Sequence, residues 1–137
     1  MIQLKLKNEM TQYKNPNYWF LFLSALVMIA IATASYFVPG KVPFATDGLL
    51  IKLYRINYAV LAMMVLLSNN MQVVRTYLII TGWLMIFFVV SSWLDLAPEG
   101  MFLFTKSDNI LHSNIGVISI FIAVIYGDTD SESEETL

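Results

Sequence analysis

The densest run of polar chemistry in this 137-residue chain is Thr105-Lys106-Ser107-Asp108-Asn109-Ile110-Leu111-His112. His112 is the single histidine. Asp108 and His112 are four residues apart, so on a helix they share one face. A carboxylate at that spacing orients the imidazole. The pair then has two chemical uses, as a proton-responsive unit or with His112 as an axial ligand to a pigment. The structural alternative is a helix cap with one hydrogen-bonded histidine. Thr105-x-x-Asp108 fits that alternative, because it has the form of a capping box, in which the acid reaches back to an amide at the helix start.

These residues sit among long apolar runs. The composition is 58% hydrophobic and 13% charged, about half the charge of an average soluble domain. A mean hydropathy of +0.66 agrees. Four runs of roughly bilayer length are expected as helical spans, near residues 18–38, 49–67, 73–94 and 107–126. The first is longer than the ~7–15-residue apolar core of a signal peptide, so it reads as a span despite Ala32-Thr33-Ala34. Tyr18, Trp19 and Tyr36 mark its two interfaces, and Pro39-Gly40 ends it. Thr46 or Asp47 is the expected cap of the second span. That span is expected to be the least hydrophobic, since it carries Lys52, Arg55 and Asn57. Ser68 to Gln72 is a tight polar turn, which makes spans two and three a helical hairpin. The fold class is therefore all-α: an integral membrane four-helix bundle of antiparallel up-down topology. A polar basic segment over 1–17 precedes it. An acidic tail over 128–137, with five acids and no base, follows it and is expected to be disordered.

Four crossings put both chain ends on one side. Lys5, Lys7, Lys14 and Arg75 lie there, against Lys41, Lys52, Arg55 and Lys106 opposite. The charge count is balanced, and the lysines ahead of the first span assign both termini to the cytoplasm. The same topology gathers the start of span two, the end of span three and the start of span four at one membrane face. Lys52, Arg55, Asp95, Glu99, Lys106, Asp108, Asn109 and His112 meet at that face. Arg55 and His112 each lie roughly 7–9 Å into their helices, so their depths match. An intramembrane charge turns inward and finds a partner. For Arg55 the partners on offer are Asp95 and Asp108. Arg55, Asp95, Asp108, Asn109 and His112 thus form either an ion, proton or ligand cluster, or a set of contacts pinning helix ends together. Lys52 is able simply to snorkel.

Continuing the His112 stripe gives Gly116, Ser119 and Ala123, small residues at helical spacing that let another helix approach closely. Ala30-x-x-x-Ala34 is a weaker version in span one. Trp83 lies mid-span, where an interfacial belt does not explain it, beside Gly82. Without cysteine there is no disulfide, thiolate nucleophile or thiolate metal site. One histidine per chain supplies neither a bis-histidine haem nor a multi-histidine zinc site. No metal site is expected, and no basic, aromatic-rich patch suggests nucleic acid.

Asp108-Asn109-Ile110-Leu111-His112, followed by Gly116 and closed by Gly127, resembles a bacterial family of small four-span membrane proteins of no assigned function. Those proteins open their fourth span on Asp-Asn-aliphatic-Leu-His. The resemblance covers residues 105–127 and the four-span layout, and it implies a bacterial inner membrane. A histidine motif expected in the family's second span has no counterpart in Tyr54–Met64.

The function expected first is a non-catalytic membrane subunit or scaffold packing against other transmembrane helices, with lipid, other membrane chains or itself as partners. A small ion, proton or small-molecule transporter or channel using the polar cluster is the second reading. The third is a pigment- or quinone-binding subunit, with the lipid, quinone or pigment near His112. An enzyme is not expected, since no nucleophile–base pair is visible.

Overall fold

Helix boundaries fall where orphan backbone groups find local partners. Asn15 caps the first helix, its side chain accepting from the Asn17 amide at 2.9 Å, and Pro16 occupies the first turn, where a missing N–H costs nothing. Asn70 caps the third helix by accepting from the amides of Gln72 (3.0 Å) and Val73 (3.3 Å). Thr105 caps the fourth, its hydroxyl accepting from the Asp108 amide at 3.2 Å. The computed structural model, which describes residues 14–41, 48–96 and 104–127, contains four helices and no strand among them. They are α1 (Pro16–Phe37), α2 (Leu49–Leu67), α3 (Met71–Trp93) and α4 (Lys106–Ile125).

Two expectations are corrected here. The N-cap of α2 is Gly48, with no side-chain hydrogen bond, whereas Thr46 and Asp47 lie outside the described residues. Nor is the second helix alone in its polarity. Among the most apolar windows, α2 and α4 share a mean hydropathy of 1.6, against 2.1 for α1 and 2.0 for α3. The polar load is thus divided between the two helices that carry Arg55 and His112. All four helices are long and apolar enough to cross a bilayer. The basic segment expected over 1–17 is described only from residue 14, and the tail 128–137 lies outside the described residues.

Packing follows the small residues. α1 lies principally against α2 and α3 against α4, while α2 makes few close backbone approaches to α3 and fewer still to α4. The faces that α1 and α2 bury carry Ala25 and Ala32, with Leu21 and Met28, on α1 and Ala59 and Ala62 on α2. On α3 and α4, Gly82 and Gly116 face each other so closely that a Cβ added to either would lie 2.9 Å from the other's carbonyl oxygen. Lengthwise, Ser92 meets Asn109, Gly82 meets Gly116 and Arg75 meets Ala123. The hairpin turn Ser68–Asn70 joins α2 to α3 at one end, with Asn69 left-handed (φ 52°), yet the two helices pack little along their length.

Polar side chains inside the bundle bond one another. The Ser24 hydroxyl donates to Leu21 O at 2.9 Å, so in its 2.8 Å contact with Tyr58 Oη the tyrosine is the donor. Tyr77 Oη donates to Tyr58 O at 2.9 Å. Separate hydroxyl bonds therefore tie α1 to α2 and α3 to α2, where an unbonded hydroxyl in an apolar interior would cost about 1–3 kcal/mol.

Candidate functional site

Arg55, Asp108 and His112 are all completely buried, at 0% exposure. Arg55 projects from the second turn of α2, Asp108 and His112 from successive turns of α4. Arg55 Nη2 is hydrogen-bonded to Asp108 Oδ1 as an ion pair. Two charges out of water are tolerable only when so paired, because the desolvation of each ion is large. The pair spans α2 and α4, helices that otherwise hardly approach. It acts as a strut where small-residue packing is absent.

His112 is oriented by the same aspartate. Its Nδ1 lies 2.8 Å from Asp108 O and 3.2 Å from Asp108 Oδ1. A carbonyl and an ionised carboxylate only accept, so Nδ1 carries a hydrogen and donates. In the neutral ring this leaves Nε2 with its lone pair. Nε2 faces a sealed environment and has no hydrogen-bond partner among the described residues, and the same holds for the buried Tyr54 Oη. The surroundings are aromatic. The Phe104 ring centroid is 5.1 Å from that of His112, and Tyr54 is at 6.0 Å. Phe88 of α3 closes the group, 5.4 Å from Tyr54 and 6.5 Å from Phe104. Asn109, one position on, turns toward α3, its Nδ2 donating to Ser92 Oγ at 3.2 Å.

No family model, curated protein or solved structure matches this chain. The site is accordingly read from its geometry. It holds one cation and one anion in contact, so it is charge-balanced. It presents one imidazole lone pair and one phenol within an aromatic wall. Among the described residues no group of three or more His, Asp or Glu stands ready for a metal ion.

The remaining candidates go elsewhere. Asp95 is exposed and takes no part in the buried group. Its backbone is left-handed (φ 54°), and Leu96 N donates to Ser91 O at 3.0 Å across it. That is the 6→1 bond of a Schellman stop, so Asp95 terminates α3 rather than balancing Arg55. Asp95→Gly is therefore expected to raise stability by up to about 1 kcal/mol, the order of the left-handed penalty it relieves. A thermal melt in detergent reads this; a loss of stability would return Asp95 to the ion cluster. Lys52 does not simply snorkel: its Nζ donates to Ser35 O at 3.1 Å, in the last turn of α1. Arg75 does the same for α4, with Nε on Ala123 O at 3.0 Å and Nη1 on Gly127 O at 3.4 Å. Each cation satisfies carbonyls at a helix C-terminus, where the dipole favours positive charge. Lys106 is exposed, and Glu99 lies outside the described residues.

Gly116, Ser119 and Ala123 do form a buried face, and it is spent on α3 of the same chain. Ala30 and Ala34 face outward instead. Tyr54, Phe88 and Phe104 were not anticipated. The available signal was Tyr54 and Tyr58 flanking Arg55 one turn apart on the polar side of α2, whereas nothing local marked the two phenylalanines.

Proposed function

We propose that the chain is an integral membrane bundle, with four antiparallel up-down spans and both termini cytoplasmic, that serves as a non-catalytic component packing against other transmembrane helices. The reversed order of contacts between α3 and α4 supports the topology, and the four apolar helices support insertion. The resemblance carried by residues 105–127 points to a bacterial inner membrane. One observation carries the packing role. Arg55, Asp108 and His112 are turned inward and fully buried, while Trp83, in mid-span, stands 60% exposed on the outer surface of α3. A tryptophan at that depth gains nothing from a headgroup belt and suits the centre of a helix–helix contact. Ala30 and Ala34 leave the outer face of α1 open to a further helix in the same way. Replacing Trp83 with a photo-crosslinking amino acid in the native membrane tests the reading. A crosslink to a second polypeptide, this chain or another, is expected. Adducts to lipid alone would reject it.

A second reading is favoured by His112 Nε2 and Tyr54 Oη. An oriented imidazole with a free lone pair in a charge-balanced, aromatic-walled site is suited to a neutral ligand such as a quinone or pigment, or to proton passage. Visible absorbance, a bound lipophilic molecule, or reconstituted flux that disappears in His112→Ala would establish it. A colourless, ligand-free protein with no flux would remove it.

A further inference from the structure

His112 Nε2, from α4, and Tyr54 Oη, from α2, are buried polar atoms with no hydrogen-bond partner among the described residues. Their rings lie 6.0 Å apart, inclined at 35°. An unpaired polar atom in an apolar interior is costly, so two of them facing one gap between helices point to a ligand that supplies what both lack. The chemistry of that ligand follows from where the hydrogens sit. Nδ1 of His112 lies against two oxygens of Asp108, at 2.8 and 3.2 Å, and so holds the hydrogen of the neutral ring. Nε2 is then purely an acceptor, open to an O–H, an N–H or a metal ion. A metal needs further ligands, and among the described residues no group of three or more His, Asp or Glu supplies them. Tyr54 Oη both donates and accepts. One hydroxyl therefore satisfies both atoms, donating to Nε2 and accepting from Oη. A carbonyl satisfies only the tyrosine.

The walls select what carries that hydroxyl. Phe104 lies 5.1 Å from the imidazole, and Phe88 packs edge-on against Tyr54 at 5.4 Å. Water gains nothing from these rings, whereas an aromatic ligand gains ring contacts with them. Tyr54, Phe88 and Phe104 are each partly exposed while His112 is completely buried, so one layer of side chains stands between the imidazole and the outside of the bundle. His112 lies six residues into α4, roughly 9 Å along its axis, which on the membrane-spanning reading is hydrocarbon depth. A ligand arriving there is lipid-soluble. It reaches Nε2 by rotation of a wall ring, without movement of a helix.

We propose that His112 Nε2 and Tyr54 Oη together bind the hydroxyl of a lipid-soluble hydroquinone, in preference to the corresponding quinone. The proposal rests on the second reading above, which it narrows to the reduced form of the ligand. His112 is the single histidine, so the full chain labelled with ¹⁵N-histidine reports on this one ring. The labelled protein, purified in detergent under argon, is titrated with decylubiquinol or with decylubiquinone. The hydroquinone is expected to move the Nε2 resonance upfield, as a lone pair accepting a hydrogen bond does. It should also bind about tenfold more tightly than the quinone, the order of effect when a buried acceptor is left unpaired. Tyr54→Phe removes an oxygen that has no partner among the described residues, so the variant should melt as the wild type does while holding the hydroquinone several-fold more weakly. Equal affinity for the two forms overturns the proposal and leaves the second reading standing. Binding of neither also overturns it, and the absorbance and flux tests above then decide the second reading separately. Undiminished binding to Tyr54→Phe would remove the tyrosine from the site. An Nε2 already hydrogen-bonded before any ligand is added would make water the occupant and sink the hydroquinone assignment.

Discussion

Asp108→Asn is expected to destabilise the bundle by roughly 3–5 kcal/mol, the cost of leaving a buried charge without its counter-ion. Arg55 is fully buried, and its ion pair is with Asp108. Its guanidinium does not neutralise itself by losing a proton under any ordinary condition. The amide keeps the shape and one acceptor but removes the negative charge. It also weakens the orientation of His112, whose Nδ1 lies 3.2 Å from the same carboxylate oxygen. A melting temperature in detergent lower by on the order of 10 °C is anticipated. The double replacement Arg55→Met with Asp108→Leu separates charge from shape. Buried ion pairs replaced by apolar residues of similar volume lose little, so the double variant should recover most of what the single one loses. Were Asp108→Asn to melt with the wild type, the sealed ion pair would not exist. Were the double variant to fare as badly as the single, the strut would be serving as more than a balanced pair of charges.

The second large effect is expected at Gly82 and Gly116. A Cβ at Gly116 would lie 2.9 Å from Gly82 O, and one at Gly82 would lie 2.9 Å from Gly116 O. Both obstacles are backbone, so no rotamer change relieves them and the helices must separate. Ile120 and Ser119 crowd Gly82 further, at 2.8 and 3.2 Å. In an open helix, glycine to alanine is stabilising by about 1 kcal/mol. Here the sign reverses, and Gly116→Ala is expected to cost about 1–3 kcal/mol, as overpacking does. Gly116→Val should prevent assembly of α3 on α4. The two alanine substitutions act on one contact, so their combined cost should fall short of the sum. Unfolding midpoints for the two single variants and the double variant decide this. Stabilisation by Gly116→Ala would mean that the helices do not touch there.

Much of the architecture is legible along the chain. Helix starts are marked by Asn15-Pro16, by Asn70 and by Thr105, each with a side chain that accepts an orphan amide. The four apolar runs give the four helices within a few residues. The spacing of Asp108 and His112 gives their shared face. Depth along a helix is also readable, which is why Arg55 was matched to the level of His112.

Lateral arrangement is less legible. The short turn at Ser68–Asn70 suggests that α2 and α3 are partners, because a tight connection brings two helix ends together. Packing along a helix depends instead on how closely two backbones can approach. Glycine against glycine draws α3 to α4, and the alanines draw α1 to α2, across connections that are longer.

The opening motif shows the same division. By itself the sequence determined that Asp108 and His112 share a helix face, that Arg55 sits at their level, and that an acid must answer it, because local periodicity and the cost of a bare charge are properties of the chain. Only the tertiary structure decided which acid. Asp95 follows the end of α3, where a left-handed backbone turns it out to solvent, while Asp108 lies one turn inside α4 and faces the interior. It also decided that Tyr54, Phe88 and Phe104, from three separate segments, enclose the imidazole. The direction in which a residue points around its helix axis, relative to helices elsewhere in the chain, is fixed by packing and is not written in spacing.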